Sequence, residues 1–160
     1  MNANLPSLRI LAIIFLLALF PRVGTALSLP SIFGDRMMLQ RDQPIPVWGW
    51  AEPGTIVVVS LRGQVARTTA RPDGFWTVTL EPEPAGEPAV LRIEADDSVA
   101  FENVRFGEVW LASGQSNMGW QVQASDNPDS EIAEAAEYPE IRFFKVDREV
   151  AASPRKDLQG

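Results

Sequence analysis

Short apolar runs separated by turn signals fill the chain between about residue 29 and residue 106. Residues 75–80 alternate apolar side chains with threonine, and residues 55–61 are rich in β-branched side chains, as is typical of strands. Pro53-Gly54 and Asp73-Gly74 indicate tight turns. Further strands are predicted at residues 37–39, 45–50, 89–95 and 99–106. This regular spacing predicts a β-sandwich domain over residues 27–106.

The pattern changes after residue 106. Residues 107–113 and 141–146 are apolar runs typical of strands, and an acidic, alanine-rich stretch between them predicts a helix over about 127–137. Strand, helix and strand in this order predict the first βαβ portion of a parallel α/β sheet. Because such a sheet needs cover on both faces, residues 107–160 are expected to be an incomplete domain.

Composition limits the possible functions. The 160 residues are 46% hydrophobic and 22% charged, as in globular proteins. The formal charge of −7, without a cluster of Lys or Arg, argues against nucleic acid as a partner. The chain has no cysteine and no histidine, which excludes disulfides and the usual zinc sites. We expect neither a metal nor a cofactor.

Residues 1–26 have the pattern of a signal peptide. Arg9 precedes an apolar stretch over residues 10–20, and Pro21 and the small residues 24–26 follow it. The apolar stretch is about half the ~20 residues that span a bilayer, which favours a cleaved peptide over an uncleaved anchor. We therefore expect a secreted or periplasmic protein without stable membrane insertion.

A candidate nucleophile follows the apolar run at residues 109–112. In residues 114–118 (GQSNM), a glycine permits a sharp turn, and Ser116 comes where the chain leaves the predicted strand. Such a turn exposes a hydroxyl and leaves backbone N–H groups that can bind an oxyanion. Gln115 and Asn117 flank the serine with supporting amides. The alternative for Ser116 is a turn or helix N-cap serine.

Five tryptophans offer binding or packing surfaces. Trp110 lies in the middle of a predicted strand and is expected in the core. Trp120 lies in a loop and is a candidate contact for a sugar ring, with packing as the alternative. Trp48, Trp50 and Trp76 are expected to pack with at least one of them buried, and a carbohydrate platform is the alternative.

The sequence provides no histidine to act as a general base, although a serine hydroxyl is a weak nucleophile without one. Asp126 and Asp129 follow the candidate nucleophile. We interpret them as loop and helix-start carboxylates, which the helix dipole favours, and not as members of a triad. The sequence thus predicts a nucleophile without the group that would activate it.

Four blocks of the sequence carry a family resemblance: residues 38–42 (MLQRD), 46–54 (PVWGWAEPG), 107–118 (GEVWLASGQSNM) and 141–146 (IRFFKV). Together they resemble sialate O-acetylesterases, which are SGNH-type carbohydrate esterases. The resemblance runs in order from about residue 29 to the end. It implies a mixed fold, in which an N-terminal β-sandwich precedes the truncated start of an SGNH-type, flavodoxin-like α/β domain.

The same resemblance implies hydrolysis of acetyl esters on a sugar or glycan through a serine acyl-enzyme. Ser116 matches the nucleophile, and its backbone N–H matches one oxyanion donor. The family's histidine, its orienting aspartate and its other oxyanion donors lie downstream of position 160. Position 119 is glycine where the family usually has glutamate. We therefore expect a secreted carbohydrate O-acetylesterase of which this chain is a catalytically incomplete part.

Two alternatives remain open from the sequence. The first is a non-enzymatic, glycan-binding β-sandwich module with a remnant C-terminal segment. The second is an interrupted gene product without activity. In each case we expect residues 107–160 to be poorly protected from amide exchange, because an unpaired sheet edge and an uncovered apolar face leave the backbone open to water.

Overall fold

Seven strands between residues 38 and 107 form most of the regular structure. The computed structural model describes residues 26–155, 157 and 158. The strands are β1 (Met38–Gln40), β2 (Ile45–Trp50), β3 (Ile56–Leu61), β4 (Gln64–Thr69), β5 (Phe75–Leu80), β6 (Ala89–Glu94) and β7 (Ser98–Gly107). Two 3-10 turns, η1 (Ser116–Gly119) and η2 (Val122–Ala124), and the helix α1 (Pro128–Ala135) follow along the described chain.

The strands form a five-stranded mixed sheet and a separate antiparallel pair. The order in the larger sheet is β1-β7-β6-β3-β4, in which β1 runs parallel to β7 and the other neighbours are antiparallel. The pair consists of β2 and β5, with Trp50 opposite Phe75. The architecture is therefore a mixed sheet, curled like a half-barrel, with few helices. The sequence pattern predicts neither β4 nor the parallel pairing of β1 with β7.

Alternate residues of both sheets pack into one hydrophobic core, because successive side chains of a strand point to opposite faces. The buried members on the strands include Ile45, Val47, Val57, Val59, Leu61, Trp76, Val78, Leu80, Leu91, Ile93, Val104 and Phe106. Trp76 is fully buried, so the prediction that at least one of three tryptophans is buried is confirmed. Trp48 and Trp50 lie half-buried on the opposite face of the β2–β5 pair.

Gly49 lets β2 pass close to the segment that precedes the first strand. Ser28 and Trp50 exchange two backbone hydrogen bonds of 2.8 Å, which hold that segment against β2. A Cβ atom at position 49 would lie 2.5 Å from the carbonyl oxygen of Ser28 and 2.9 Å from Cζ2 of Trp76. Glycine is therefore required at this position by a close approach on two sides.

The chain beyond β7 departs from the sequence prediction. Residues 108–114 and 141–150 have no regular structure, so the strands predicted at 107–113 and 141–146 do not form, nor does the predicted βαβ unit. A parallel strand is held by hydrogen bonds to its neighbours and by helices on its faces, and the described residues supply neither for these segments. The prediction that Trp110 packs in a core is wrong, since its side chain is 87% exposed.

The predicted helix is confirmed as α1. Asn127 precedes it, Pro128 lies at its first position and Asp129 lies in its first turn, as the sequence predicts. The predicted signal peptide lies outside the described residues, apart from Ala26. Within the part of the chain that the structure describes, no helix is long and apolar enough to cross a bilayer.

Candidate active site

Ser116 is the first residue of η1 and is exposed to solvent. Gln115 before it has φ −105° and ψ −149°, outside both the helical and the β regions, so the chain changes direction at the serine. The carbonyl oxygen of Gln115 accepts a hydrogen bond of 3.0 Å from the N–H of Met118, which closes the turn. The Ser116 hydroxyl therefore stands on an outward-facing turn that a ligand can reach.

Backbone donors accompany this hydroxyl. The first N–H groups of a helical turn have no acceptor within the turn, and in η1 these belong to Ser116 and Asn117. Among the described residues, neither N–H donates to a backbone carbonyl oxygen outside the turn. The side chains of Gln115 and Asn117 are also exposed. The turn thus presents a hydroxyl together with donors of the kind that stabilise an oxyanion.

Gly114 precedes the turn and Gly119 ends it, and the two glycines have different surroundings. A Cβ atom at position 114 would lie 2.9 Å from Cγ of Met118, so the turn brings these residues too close for a side chain at 114. A Cβ atom at position 119 would lie 3.4 Å from Nη2 of Arg148, an ordinary contact. Position 119, where the resembling family usually has glutamate, therefore faces a guanidinium.

Trp120 directly follows η1 and is 66% exposed. Its indole N–H donates to the carbonyl oxygen of Ala124 at 3.0 Å. This bond occupies the polar edge of the side chain and fixes its orientation, while much of the ring stays open to solvent. Trp120 is therefore placed near the serine in sequence and remains available for contact with a ligand.

A polar junction holds the chain where it leaves β7 toward the serine. Glu108 accepts hydrogen bonds from Nε of Arg41 at 2.8 Å and from Nε2 of Gln40 at 3.1 Å. Oε1 of Gln40 in turn accepts the backbone N–H of Val109 at 2.9 Å. These hydrogen bonds lower the pKa of Glu108, that from Gln40 contributing most. Two blocks of the sequence that are far apart along the chain meet at this junction.

A second attachment holds residues 140–142 against the strands. The Nη1 atom of Arg142 donates to the carbonyl oxygens of Arg36 at 2.6 Å, Met37 at 3.1 Å and Asn103 at 2.7 Å. Burial lowers the pKa of Arg142, with the nearby Arg105 adding to the effect. Glu140 forms an ion pair of 2.8 Å with Arg105. This segment is therefore fixed to the sheet although it is not a strand.

Sequence reasoning missed these attachments as functional features. Gln40, Arg41 and Glu108 lie in two of the blocks that carry the family resemblance, and Arg142 lies in a third. That grouping was the available signal, because two of these blocks supply both sides of the polar junction at Glu108. The structure places their partners in the β1 region and in β7.

The described residues do not provide a general base for Ser116. The sequence has no histidine, and no described side chain accepts a hydrogen bond from the Ser116 hydroxyl. Asp126 and Asp129 are exposed, at the start of the helix region, as the sequence predicts. Within the same residues, no group of three or more acidic side chains is placed to hold a metal ion. The described residues thus place a hydroxyl and backbone N–H groups on one turn, without a histidine beside them.

Comparison with known proteins finds homologues of this chain. The chain is 33% identical to the sialate O-acetylesterase of Mus musculus over 135 residues, which are 77% of this chain and 25% of that protein. It is 32% identical to the sialate O-acetylesterase of Homo sapiens over 148 residues, which are 84% of this chain and 28% of that protein. The chain is a homologue of the sialate O-acetylesterases. The resemblance predicted from the sequence is thereby confirmed.

A solved structure gives the same result for the fold. The chain is similar to XAC1771, a carbohydrate acetylesterase from Xanthomonas citri, with a TM-score of 0.79 and 38% sequence identity. The likeness covers 84% of this chain and 31% of that one. No protein-family model matches the sequence. This homologue of the sialate O-acetylesterases spans about a quarter of the length of the relatives named above.

Proposed function

We propose that the chain is part of a secreted or periplasmic carbohydrate O-acetylesterase that removes acetyl groups from sugars, with Ser116 as its nucleophile. The observation that carries this proposal is the exposed Ser116 on a turn with open N–H groups, in a chain 32% identical to a sialate O-acetylesterase over most of its length. The substrate is an acetylated sugar or glycan.

In the proposed reaction, the Ser116 hydroxyl oxygen attacks the acetyl carbonyl carbon while a base takes the hydroxyl proton. The carbonyl oxygen becomes an oxyanion, which accepts a hydrogen bond from the Ser116 N–H. The bond to the sugar oxygen then breaks, and that oxygen leaves with the proton from the base. Water attacks the acetylated serine in the same manner, which releases acetate and restores the hydroxyl.

The base of this reaction lies outside these 160 residues. A serine in an esterase of this kind is activated by a histidine, and the sequence has none. The chain also spans only 25–28% of the length of the relatives described above. The proposal therefore assigns the nucleophile and one oxyanion donor to this chain, and the histidine and its orienting acid to residues beyond it.

The same proposal accounts for the exposed apolar residues beyond β7. Residues 27–106 would be a β-sandwich domain, and residues 107–160 would begin an SGNH-type α/β domain. Trp110, Leu111 and Phe143 have exposures of 87%, 93% and 93%, and each is a large apolar side chain that a folded domain usually covers. Neighbouring strands of a complete α/β sheet would cover them. Residues 1–26 would direct the protein out of the cytoplasm.

The test measures acetyl-ester hydrolysis by the purified chain, by Ser116→Ala and by Ser113→Ala, each with and without added imidazole. Imidazole supplies the missing base, and Ser113→Ala controls for loss of a nearby hydroxyl. We expect background rates without imidazole for all three proteins. With imidazole, we expect faster hydrolysis by the chain and by Ser113→Ala than by Ser116→Ala, and an acetyl group on the peptide that contains Ser116.

Each part of the proposal has a result that overturns it. Imidazole-dependent rates equal in the chain and in Ser116→Ala, without acetylation of that peptide, would remove Ser116 as the nucleophile. Rapid hydrolysis without imidazole that disappears in Ser116→Ala would keep the nucleophile and overturn the assignment of the base to residues outside the chain.

A further inference from the structure

The outward face of the β2–β5 pair carries a row of aromatic side chains. Trp48 and Trp50 are two residues apart on β2 and so share one face. Across the pair, Trp48 lies opposite Thr77, and Trp50 lies opposite Phe75. The two tryptophans and Phe75 are half-buried, whereas Trp76 on the other face is completely buried. The core therefore accounts for Trp76 and leaves this row partly open to solvent.

Contacts within the row fix the orientation of its rings. The rings of Trp50 and Phe75 meet edge to face, with centroids 6.0 Å apart. The ring of Trp48 meets that of Phe33 in the same way at 4.9 Å. The guanidinium of Arg71 lies 5.4 Å from the centroid of Phe75. The rings are thus held in place before any ligand binds, which lowers the entropy lost on binding.

A shallow depression of about 460 Å³ lies over this row. Its lining residues are Trp48, Trp50, Asp73, Phe75 and Thr77. One oxygen of Asp73 accepts the backbone N–H of Phe75 at 3.1 Å, and a carboxylate has acceptor sites to spare after one such bond. Thr77 also lines the depression, and its hydroxyl, which donates to the carbonyl oxygen of Val47 at 3.4 Å, keeps its acceptor sites. The surface therefore combines aromatic rings with hydrogen-bond acceptors at their edge.

The size and charge of this depression indicate what kind of ligand it binds. A stable protein interface takes about 20–30 residues a side, whereas five residues line the depression, so a small rigid group fits it better than a protein face. The five lining residues include one carboxylate, that of Asp73, and one guanidinium, that of Arg71, lies beside them over the ring of Phe75. With one charge of each sign, the surface favours neither an anion nor a cation and suits a neutral ligand with hydroxyl donors. A pyranose ring has an apolar C–H face for the aromatic rings and hydroxyl groups for Asp73 and Thr77.

We propose that Trp48, Trp50, Phe75, Asp73 and Thr77 form a subsite for a neutral pyranose ring of a glycan, distinct from the turn that carries Ser116. The subsite rests on the proposed function for its substrate class, because it would hold an unmodified sugar of the same glycan whose acetylated sugar is hydrolysed. It would raise the affinity for oligosaccharides without taking part in bond breaking.

The experiment measures binding of non-acetylated sugars, so its result does not depend on hydrolysis. The full chain is titrated with a neutral galactose- and N-acetylglucosamine-containing oligosaccharide, with free N-acetylneuraminic acid and with a proline-rich peptide. Affinity is read by calorimetry, and the tryptophan indole N–H signals are followed by NMR. We expect saturable binding of the neutral oligosaccharide, with shifts at Trp48 and Trp50 but not at Trp120.

Variants separate this subsite from the catalytic turn. We expect Trp50→Ala and Asp73→Asn to weaken oligosaccharide binding about tenfold or more, the equivalent of ~1.4 kcal/mol. Asp73→Asn keeps the shape of the side chain and guards against a misfolded tryptophan variant. Two control variants are expected to bind the oligosaccharide as the unaltered chain does. They are Ser116→Ala, in the catalytic turn, and Val65→Ala, at an exposed position on β4.

Several results would overturn the subsite. These are the absence of saturable oligosaccharide binding, binding that Trp50→Ala and Asp73→Asn leave unchanged, and preference for N-acetylneuraminic acid or for the proline-rich peptide. If the unaltered chain binds the oligosaccharide but shows no imidazole-dependent hydrolysis at Ser116, the proposed function alone is contradicted. If it shows that hydrolysis but does not bind the oligosaccharide, the subsite alone is contradicted.

Discussion

The guanidinium of Arg142 binds both oxygens of Asn103, donating to the backbone carbonyl at 2.7 Å and to the side-chain Oδ1 at 3.0 Å. Asn103 has a φ of 54°, in the left-handed region, and so does Arg36 with 62°, whose carbonyl oxygen Arg142 also binds. One arginine thus holds two bends of the backbone and a distant segment together. The planar fork of an arginine can do this, whereas the single ammonium of a lysine cannot.

Replacement of Arg142 by lysine should therefore lower the free energy of unfolding. We expect a loss of about 1–3 kcal/mol, because a compact ammonium cannot reach all of the oxygens that the forked guanidinium binds. Urea denaturation gives the change, and amide exchange should show faster opening near residues 140–146. Arg67→Lys, an exposed position on β4, is the matched control and should have little effect. Equal urea midpoints for the two variants would contradict the role of Arg142.

Glu108 should make stability depend on pH. Hydrogen bonds from Gln40 and Arg41 lower its pKa below the ordinary value of 4.5. The folded state therefore holds the proton less tightly than the unfolded state, and the stabilisation is complete above pH 4.5 and is lost as the pH falls through the lowered pKa. Glu108→Gln should remove this part of the acid dependence.

The measurement is the urea midpoint from neutral to acid pH. The control is Glu134→Gln, at an exposed position of α1. We expect the Glu108→Gln curve to be flatter than those of the unaltered chain and the control. Parallel curves for all three proteins would show that the junction does not couple to protonation.

Gly49→Ala should destabilise the protein by about 1–3 kcal/mol, as overpacking of a core does. The added Cβ atom would lie 2.5 Å from a backbone oxygen, which cannot move without disturbing β2. Gly34→Ala is a matched control, because a Cβ atom there meets nothing within 4 Å. Thermal unfolding of both variants tests this, and a similar melting temperature for the two would refute the close approach at Gly49.

Gly119→Glu should be tolerated and should form an ion pair with Arg148. The position of a Cβ atom 3.4 Å from the guanidinium leaves room for the longer side chain after a small shift of the arginine. An exposed pair contributes about 0–1 kcal/mol and weakens with salt. Urea denaturation at low and high salt, with Gly119→Gln as the neutral control, measures the difference. If Gly119→Glu and Gly119→Gln have the same urea midpoint at low and at high salt, the ion pair with Arg148 does not form.

The sequence predicted those strands whose own side chains reveal their two faces. In β5, buried Trp76 and Val78 alternate with exposed Thr77, so the period of two is visible along the chain. In β4, the sequence QVARTT mixes polar and small residues on both faces of the strand. The period of two is therefore not visible in the sequence, although the exposure of the side chains alternates in the structure. The parallel pairing of β1 with β7 depends on residues far apart in the chain, which local pattern does not encode.

The segments around Trp110 and Phe143 were predicted to be strands but do not form them. Their apolar patterns are typical of strands, yet a strand forms only beside a hydrogen-bonding neighbour, and the described residues provide none. For the candidate site, the sequence predicted a turn at Ser116 but not its setting, because the strand expected directly before it does not form. The polar junction at Glu108 was not predicted either. A pairing of side chains from distant blocks is set by the tertiary fold.

The polar junction at Glu108 also has a consequence for how its residues vary among homologues. Arg41 and Glu108 are 67 positions apart, yet reversal of either charge alone would set two like charges side by side, whereas reversal of both would preserve the attraction. The two positions should therefore covary. A homologue in which the charge at position 41 is reversed should also have a reversed charge at position 108.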